Sequence, residues 1–208
     1  REHGDGVVVE GGAATYRGAY AVLATGPWSA ALARRLGCRV PLVAERGYHL
    51  TLPQSEAPLA RPIYSARRSF VLAPMGASLR LTAGAEIARL DTAPDERPIR
   101  ALLAEVRRLL PRAATEVAAS WLGRRPSTPD SLPVIGPAPA APRVVLAYGH
   151  GHLGLTLGPL TGRLVADRLV QRPEGGELAA CAPGRRGGGG GAANFRKKAL
   201  ACPRGSDI

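Results

Sequence analysis

One stretch constrains the fold of this chain more than any other. Val144-Val145-Leu146-Ala147-Tyr148 is an apolar run of strand character, and it leads directly into Gly149-His150-Gly151-His152-Leu153-Gly154. Helical patterning follows, from about Leu160 to Val170. Strand, glycine-rich turn and helix start together bring backbone N–H groups close to a phosphate or another electron-rich ligand. The spacing satisfies G-x-G-x-x-G, yet it lies near the end of the chain, where such a fingerprint does not usually stand. A complete nucleotide-binding βαβ unit also needs a second strand with an acidic residue roughly 20 positions on. Asp167 falls inside the expected helix, Glu174 and Glu177 fall beyond it, and no second strand follows. A complete unit is therefore excluded at this point. What survives is the helix N-terminus, whose N–H groups carry about half a positive charge and attract an electron-rich ligand.

The 208 residues, 45% of them hydrophobic, suffice for one or two packed domains. No apolar run approaches the roughly 18 residues of a membrane span. The net charge of +12 suggests nucleic acid, but its distribution argues against that partner. Both lysines, Lys197 and Lys198, lie near the end, and the arginines are scattered between apolar segments instead of forming one long run with interleaved aromatics. Of three cysteines only Cys38 lies in the body, and none has metal-ligand spacing, so neither a metal site nor a disulfide framework is expected.

Along the chain, Gly6–Glu10 reads as a strand closed by Gly11-Gly12, and Tyr20–Thr25 as a second, continuously apolar one covered on both faces. Gly26-Pro27 breaks it, and a helix through Ala31, Leu32 and Leu36 ends at Gly37. Arg46–Leu52, Ser69–Pro74 and Ser78–Gly84 alternate as strands, the last two as a hairpin. A helix is expected from Asp95 and Pro98, carrying Ile99, Leu102, Leu103, Val106, Leu109 and Leu110 as its apolar stripe and ended by Pro111, and Val117–Leu122 is one more strand. These residues assemble most simply as an antiparallel sheet with a helix on one face.

Residues 124–137 contain four prolines, which fix an extended path suited to aiming a polar side chain. Arg125 and Asp130 are the candidates there; the alternative is that Arg125 pairs with a carboxylate while Asp130 caps a turn. After Arg172 periodicity ends, and residues 173–208 read as a disordered tail whose composition is foreign to the body, as a change of reading frame would leave it.

Four stretches now stand in order: Val22-Leu23-Ala24-Thr25-Gly26-Pro27-Trp28-Ser29, Arg46-Gly47-Tyr48-His49, Arg125-Pro126-Ser127-Thr128-Pro129-Asp130-Ser131-Leu132-Pro133-Val134-Ile135-Gly136, and Gly149-His150-Gly151-His152-Leu153-Gly154-Leu155-Thr156. Together they resemble the C-terminal half of FAD-dependent D-amino-acid dehydrogenases, in the wider family of D-amino-acid oxidase, glycine oxidase and sarcosine oxidase. The resemblance implies an α/β (α+β) fold: the C-terminal part of an FAD-binding Rossmann-like domain with an inserted antiparallel substrate domain. It divides the chain into 1–45 (FAD-domain part), 46–123 (substrate domain), 124–172 (return to the FAD domain) and the tail 173–208.

The resemblance also implies roles. Thr25 and Gly26 match a strand end passing the cofactor, and Gly149, His150, Gly151, His152, Leu153, Gly154, Leu155 and Thr156 match the loop lining the flavin ring. Arg125 matches the arginine holding the substrate carboxylate, with His152, Tyr48 and His49 as further substrate contacts. The implied reaction is oxidation of the C–N bond of a D-amino acid, or a D-hydroxyproline, to an imine and then a 2-oxo acid. Catalysis would rest on positioning, without a dedicated catalytic side chain. The alternative is a non-catalytic truncated chain, or a subunit whose partner chain completes the FAD site. The family's opening strand, glycine loop and helix have no counterpart here, so the isolated 208 residues are expected to bind FAD poorly and be nearly inactive. The electron acceptor, quinone or oxygen, leaves no motif. A cytoplasmic setting, or one peripheral to the inner face of the cytoplasmic membrane, fits the resemblance.

Overall fold

The computed structural model describes residues 2–4, 6–53, 59–172 and 176–185. The chain is a mixed α/β structure with largely antiparallel sheets, and it divides into two units: described residues of 1–44 with 125–185, and of 45–124.

In the first unit, β1 (Glu2–His3), β2 (Gly6–Gly11) and β3 (Ala14–Gly18) form one antiparallel sheet. A second sheet has the order β10 (Val134–Ala138), β11 (Ala141–Tyr148), β4 (Ala21–Leu23). β10 and β11 form a hairpin, whereas β4 runs parallel to β11 with Leu23 opposite Leu146. The apolar run of β11 is covered on both faces, as its composition demands. Val144, Leu146 and Tyr148 pack with Ala33 of α1 (Ser29–Arg35) and with Cys38. Val145 faces the other way, onto Val165 of α4 (Gly154–Leu169) and onto Leu178. A fully buried side chain such as Leu146 contributes roughly 1.5–3 kcal/mol relative to an exposed one.

Two expectations change here. α4 begins at Gly154, six residues before the expected Leu160, and carries Pro159 inside it. Gly158-Pro159 looks like a start signal, yet the helix absorbs the proline by leaving the Leu155 carbonyl without its i+4 donor. The tail is the second. Gly176–Cys181 form a 3-10 turn, Leu178 is buried, and Arg185 pairs with Asp130 at 2.7 Å. Residues 176–185 thus belong to the folded unit and are not disordered; one apolar anchor and one ion pair suffice where periodicity is missing. Residues 173–175 and 186–208 lie outside the described residues.

The second unit is a five-stranded sheet in the order β6 (Ile63–Ser65), β7 (Phe70–Met75), β8 (Ser78–Ala88), β5 (Val43–Pro53), β9 (Ala119–Ser127). One face buries Leu50, Leu52, Phe70, Leu72, Leu79 and Leu81 against Ile99 and Val106. The helix expected through residue 110 is two, α2 (Arg97–Ala101) and α3 (Leu103–Leu109). Leu102 N–H bonds the Ile99 carbonyl three residues back, tightening the turn so that Ile99 and Val106 both reach the core while Leu109 stays exposed. Arg46 is fully buried beneath this sheet. It meets Glu86 at 2.7 Å and donates to the Thr92 and Ala93 carbonyls, which fastens residues 92–93 to β5. Such a charge is tolerated because its donors are paired. Among the described residues, no helix is long and apolar enough to cross a membrane.

Candidate functional site

The parallel pairing of β4 with β11 brings two glycine turns to one sheet edge. Leu23 and Leu146 are neighbours and both strands run the same way, so Thr25-Gly26 and Gly149 emerge together at the carboxyl edge. In α/β sheets that edge is where ligands bind. At the first turn, Thr25 and Ser29 hydroxyls lie 3.0 Å apart, the Thr25 carbonyl accepts from Trp28 N–H, and Gly26 has φ +57°.

The second turn is built more tightly. Gly149 has φ +88°, and a Cβ there would lie 3.0 Å from Thr128 Cγ2; Gly151 has φ +53° with Ser127 Oγ 3.3 Å from its Cβ position. Both positions require glycine. His150 forms a bridge with Ser127, and its Nε2 lies 2.8 Å from the Thr161 hydroxyl of α4. Burial lowers its pKa below the ordinary histidine range, so the ring stays neutral and ties the turn to the helix. Gly151–Leu153 make a single 3-10 turn into α4, and Leu153 at the helix start provides no side-chain cap. The N–H groups of the first α4 turn therefore receive no side-chain cap from the residue at the helix start. Around them His152, Leu153, Leu155 and Thr156 are exposed, Leu155 to 95%. Free helix N–H groups beside bare apolar side chains are what a flat, largely apolar ring with an electron-rich edge would cover. The residues of this turn fit a flavin ring.

Arg125 lies in the last residues of β9, and its Nη1 is buried without a hydrogen-bond partner among the described residues. Asp130 does not serve it. That carboxylate accepts from Leu132 N–H and from both Nε and Nη2 of Arg185, so it caps a turn and anchors the 176–185 stretch. A buried guanidinium nitrogen without an acceptor favours an anion, and its fork matches a carboxylate bidentately.

The second unit holds the other two candidates. Tyr48 belongs to the core: its ring is 7% exposed, its hydroxyl donates to Glu86 at 2.7 Å, and it accepts from Asp95 N–H. Burial, ahead of its hydrogen bonds, raises the Tyr48 pKa. The alternation Arg46, Tyr48, Leu50 and Leu52 turns it inward, where its hydroxyl ties β5 to Glu86 and Asp95. His49 points the other way and stacks on Trp121 at 5.0 Å and 20°. Burial and the charge of Arg80 lower its pKa, which keeps it neutral. Trp121 was not legible as a partner, because nothing in a single sequence signals a contact across 72 positions; Arg185 was hidden by the glycine run beside it. Among the described residues there is no cluster of three metal-ligating side chains.

A model of the family described as FAD dependent oxidoreductase matches residues 1–168. A D-amino-acid oxidase of Bradyrhizobium diazoefficiens is 36% identical over 169 residues, 79% of this chain and 40% of that protein. A D-amino acid dehydrogenase of Paramagnetospirillum magneticum is 39% identical over 163 residues, 76% of this chain and 38% of that protein. The crystal structure of glycine oxidase from Geobacillus kaustophilus superposes with a TM-score of 0.76 at 27% identity, over 89% of this chain and 50% of that one. The chain thus spans about two fifths of the length of these two curated relatives.

Proposed function

Because this chain belongs to the FAD dependent oxidoreductase family, we propose that it carries the carboxylate-binding arginine and the flavin-ring side of an enzyme that oxidises the C–N bond of a D-amino acid. The observation that carries this reading is the buried, unpartnered Nη1 of Arg125. An α-amino acid presents the carboxylate that this nitrogen lacks.

Arg125 binds the substrate carboxylate through its fork and so fixes the orientation of Cα. Thr25, Gly26 and residues 149–156 would hold the flavin, the N–H groups of the first α4 turn lying against its electron-rich edge. FAD, when bound, supplies the two-electron acceptor for oxidation of the amine to an imine, which water then hydrolyses to a 2-oxo acid and ammonia. Thr128 and Ser127 hold the Gly149–Gly151 backbone in its turn, while His150, neutral and bonded to Thr161, holds that turn on the helix.

Dye-linked oxidation of a D-amino-acid panel by the full-length flavoprotein is the direct test. Arg125→Ala should lower kcat/KM by roughly a hundredfold or more, the range for truncating one partner of a buried charge pair. Normal activity in that variant would overturn the assignment.

A further inference from the structure

We propose that Arg185 is a positioning residue for this site: it clamps the turn 128–133, which joins the arginine-bearing end of β9 to the glycine turn at 149. This rests on the Arg125 reading above.

The clamp is dense. Arg185 Nε and Nη2 reach the two Asp130 carboxylate oxygens at 2.7 and 3.2 Å, Nη2 also reaches the Leu132 carbonyl at 2.8 Å, and Nη1 reaches the Pro133 carbonyl at 3.1 Å. Its other Nη1 contacts, to the Cys181 and Ala182 carbonyls, fold the stretch that carries it back on itself. That stretch docks at two further points. Leu178 is buried with Ile135, Val145 and Val165, and Pro183 lies so close to β10 that a Cβ at Gly136 would sit 2.9 Å from its ring.

The clamped turn holds a conformation it would not keep alone. Ser131 has φ +62°, a left-handed value costly for a residue with a side chain. Inside the turn the Thr128 hydroxyl donates to the Leu132 carbonyl, Leu132 N–H to Asp130 and Ser131 N–H to the Thr128 carbonyl, and a Thr128 side-chain hydrogen bond to Asp130 adds to these against that strain. Both functional ends meet at its first residues. Ser127 bridges His150, Thr128 Cγ2 abuts Gly149, and Arg125 stands two positions before Ser127. A shift of this turn reaches the carboxylate arm and the glycine loop together.

The test uses the full-length protein loaded with FAD and propionate as an unreactive carboxylate, with binding followed by the flavin absorbance change. Arg185→Gln and Asp130→Asn should each weaken propionate binding and raise KM about tenfold, the size of one lost charge-assisted hydrogen bond, with kcat much less affected. The double variant should be no worse than either single one. Arg185→Lys should restore only part, since a point charge cannot serve a carboxylate and two carbonyls as the fork does. Should Arg185→Gln not fold, Asp130→Asn keeps the shape of the turn and decides alone. Arg125→Met is the control. If it abolishes binding while folded Arg185→Gln and Asp130→Asn bind normally, with only a lower Tm, the clamp is merely structural and the proposal is overturned. If Arg125→Met itself binds propionate normally, the Arg125 reading fails and this proposal falls with it.

Discussion

Asp130 and Arg185 stand 55 positions apart and meet at 2.7 Å, a contact that reaches stability as well as geometry. The Arg185 guanidinium, as the largest influence, holds the Asp130 carboxyl below the ordinary carboxylate range; burial works against it, and the Leu132 N–H assists. A carboxylate with a depressed folded-state pKa binds fewer protons folded than unfolded. Its stabilisation is therefore complete above the ordinary aspartate pKa, near 4, and is lost as pH falls through the depressed value. Asp130→Asn should accordingly unfold at a lower temperature than the parent at pH 7, with the gap closing as pH falls below about 4. A gap independent of pH would mean that the carboxylate charge is irrelevant. The residue type and its proline-rich setting singled out Asp130 in the sequence. Its partner stood in a glycine-rich stretch with no periodicity, where nothing local marks one arginine from the next.

At the scale of elements, β11 and α4 separate two kinds of leucine that composition treats alike. Leu146 is fully buried in the middle of a strand covered on both faces, while Leu155 is 95% exposed on the first turn of α4. Leu146→Ala should destabilise the flavin-free chain by about 2–5 kcal/mol. Leu155→Ala should stay within about 0.5 kcal/mol in the same denaturant titration, and its effect should appear only as weaker flavin retention. A large loss of flavin-free stability from Leu155→Ala would show that its side chain packs within the chain. Alternation made β5, β7 and β8 legible, because it is a local property, whereas the short β1, β3, β6 and β10 carried no such pattern and were not expected. Periodicity misplaced the start of α4, where Gly158-Pro159 imitates a boundary, and merged α2 with α3, whose break at Leu102 serves the packing of Ile99 and Val106. It also left Tyr48 open as a pocket residue, although the same alternation puts Tyr48 on the side of Leu50 and Leu52.

For the molecule as a whole, the boundary that matters lies beyond α4. Gly176–Arg185 carry the buried Leu178 and the clamp, so a chain ending at Arg172 should melt several degrees below one ending at Arg185. Equal melting temperatures would return that stretch to the status its composition suggested. The sequence by itself determined the alternating strands β5, β7 and β8, the order of the four motif stretches, the glycine turn before a helix and the arginine in its proline-rich setting. All of these are encoded within a few neighbouring residues. Only the tertiary structure decided that Arg125 Nη1 has no partner among the described residues while Asp130 has Arg185, that the Tyr48 hydroxyl is taken by Glu86, and that His49 lies on Trp121. The physical reason is that a hydrogen bond or a ring contact depends on which distant residues the fold brings together, and neither periodicity nor composition carries that information.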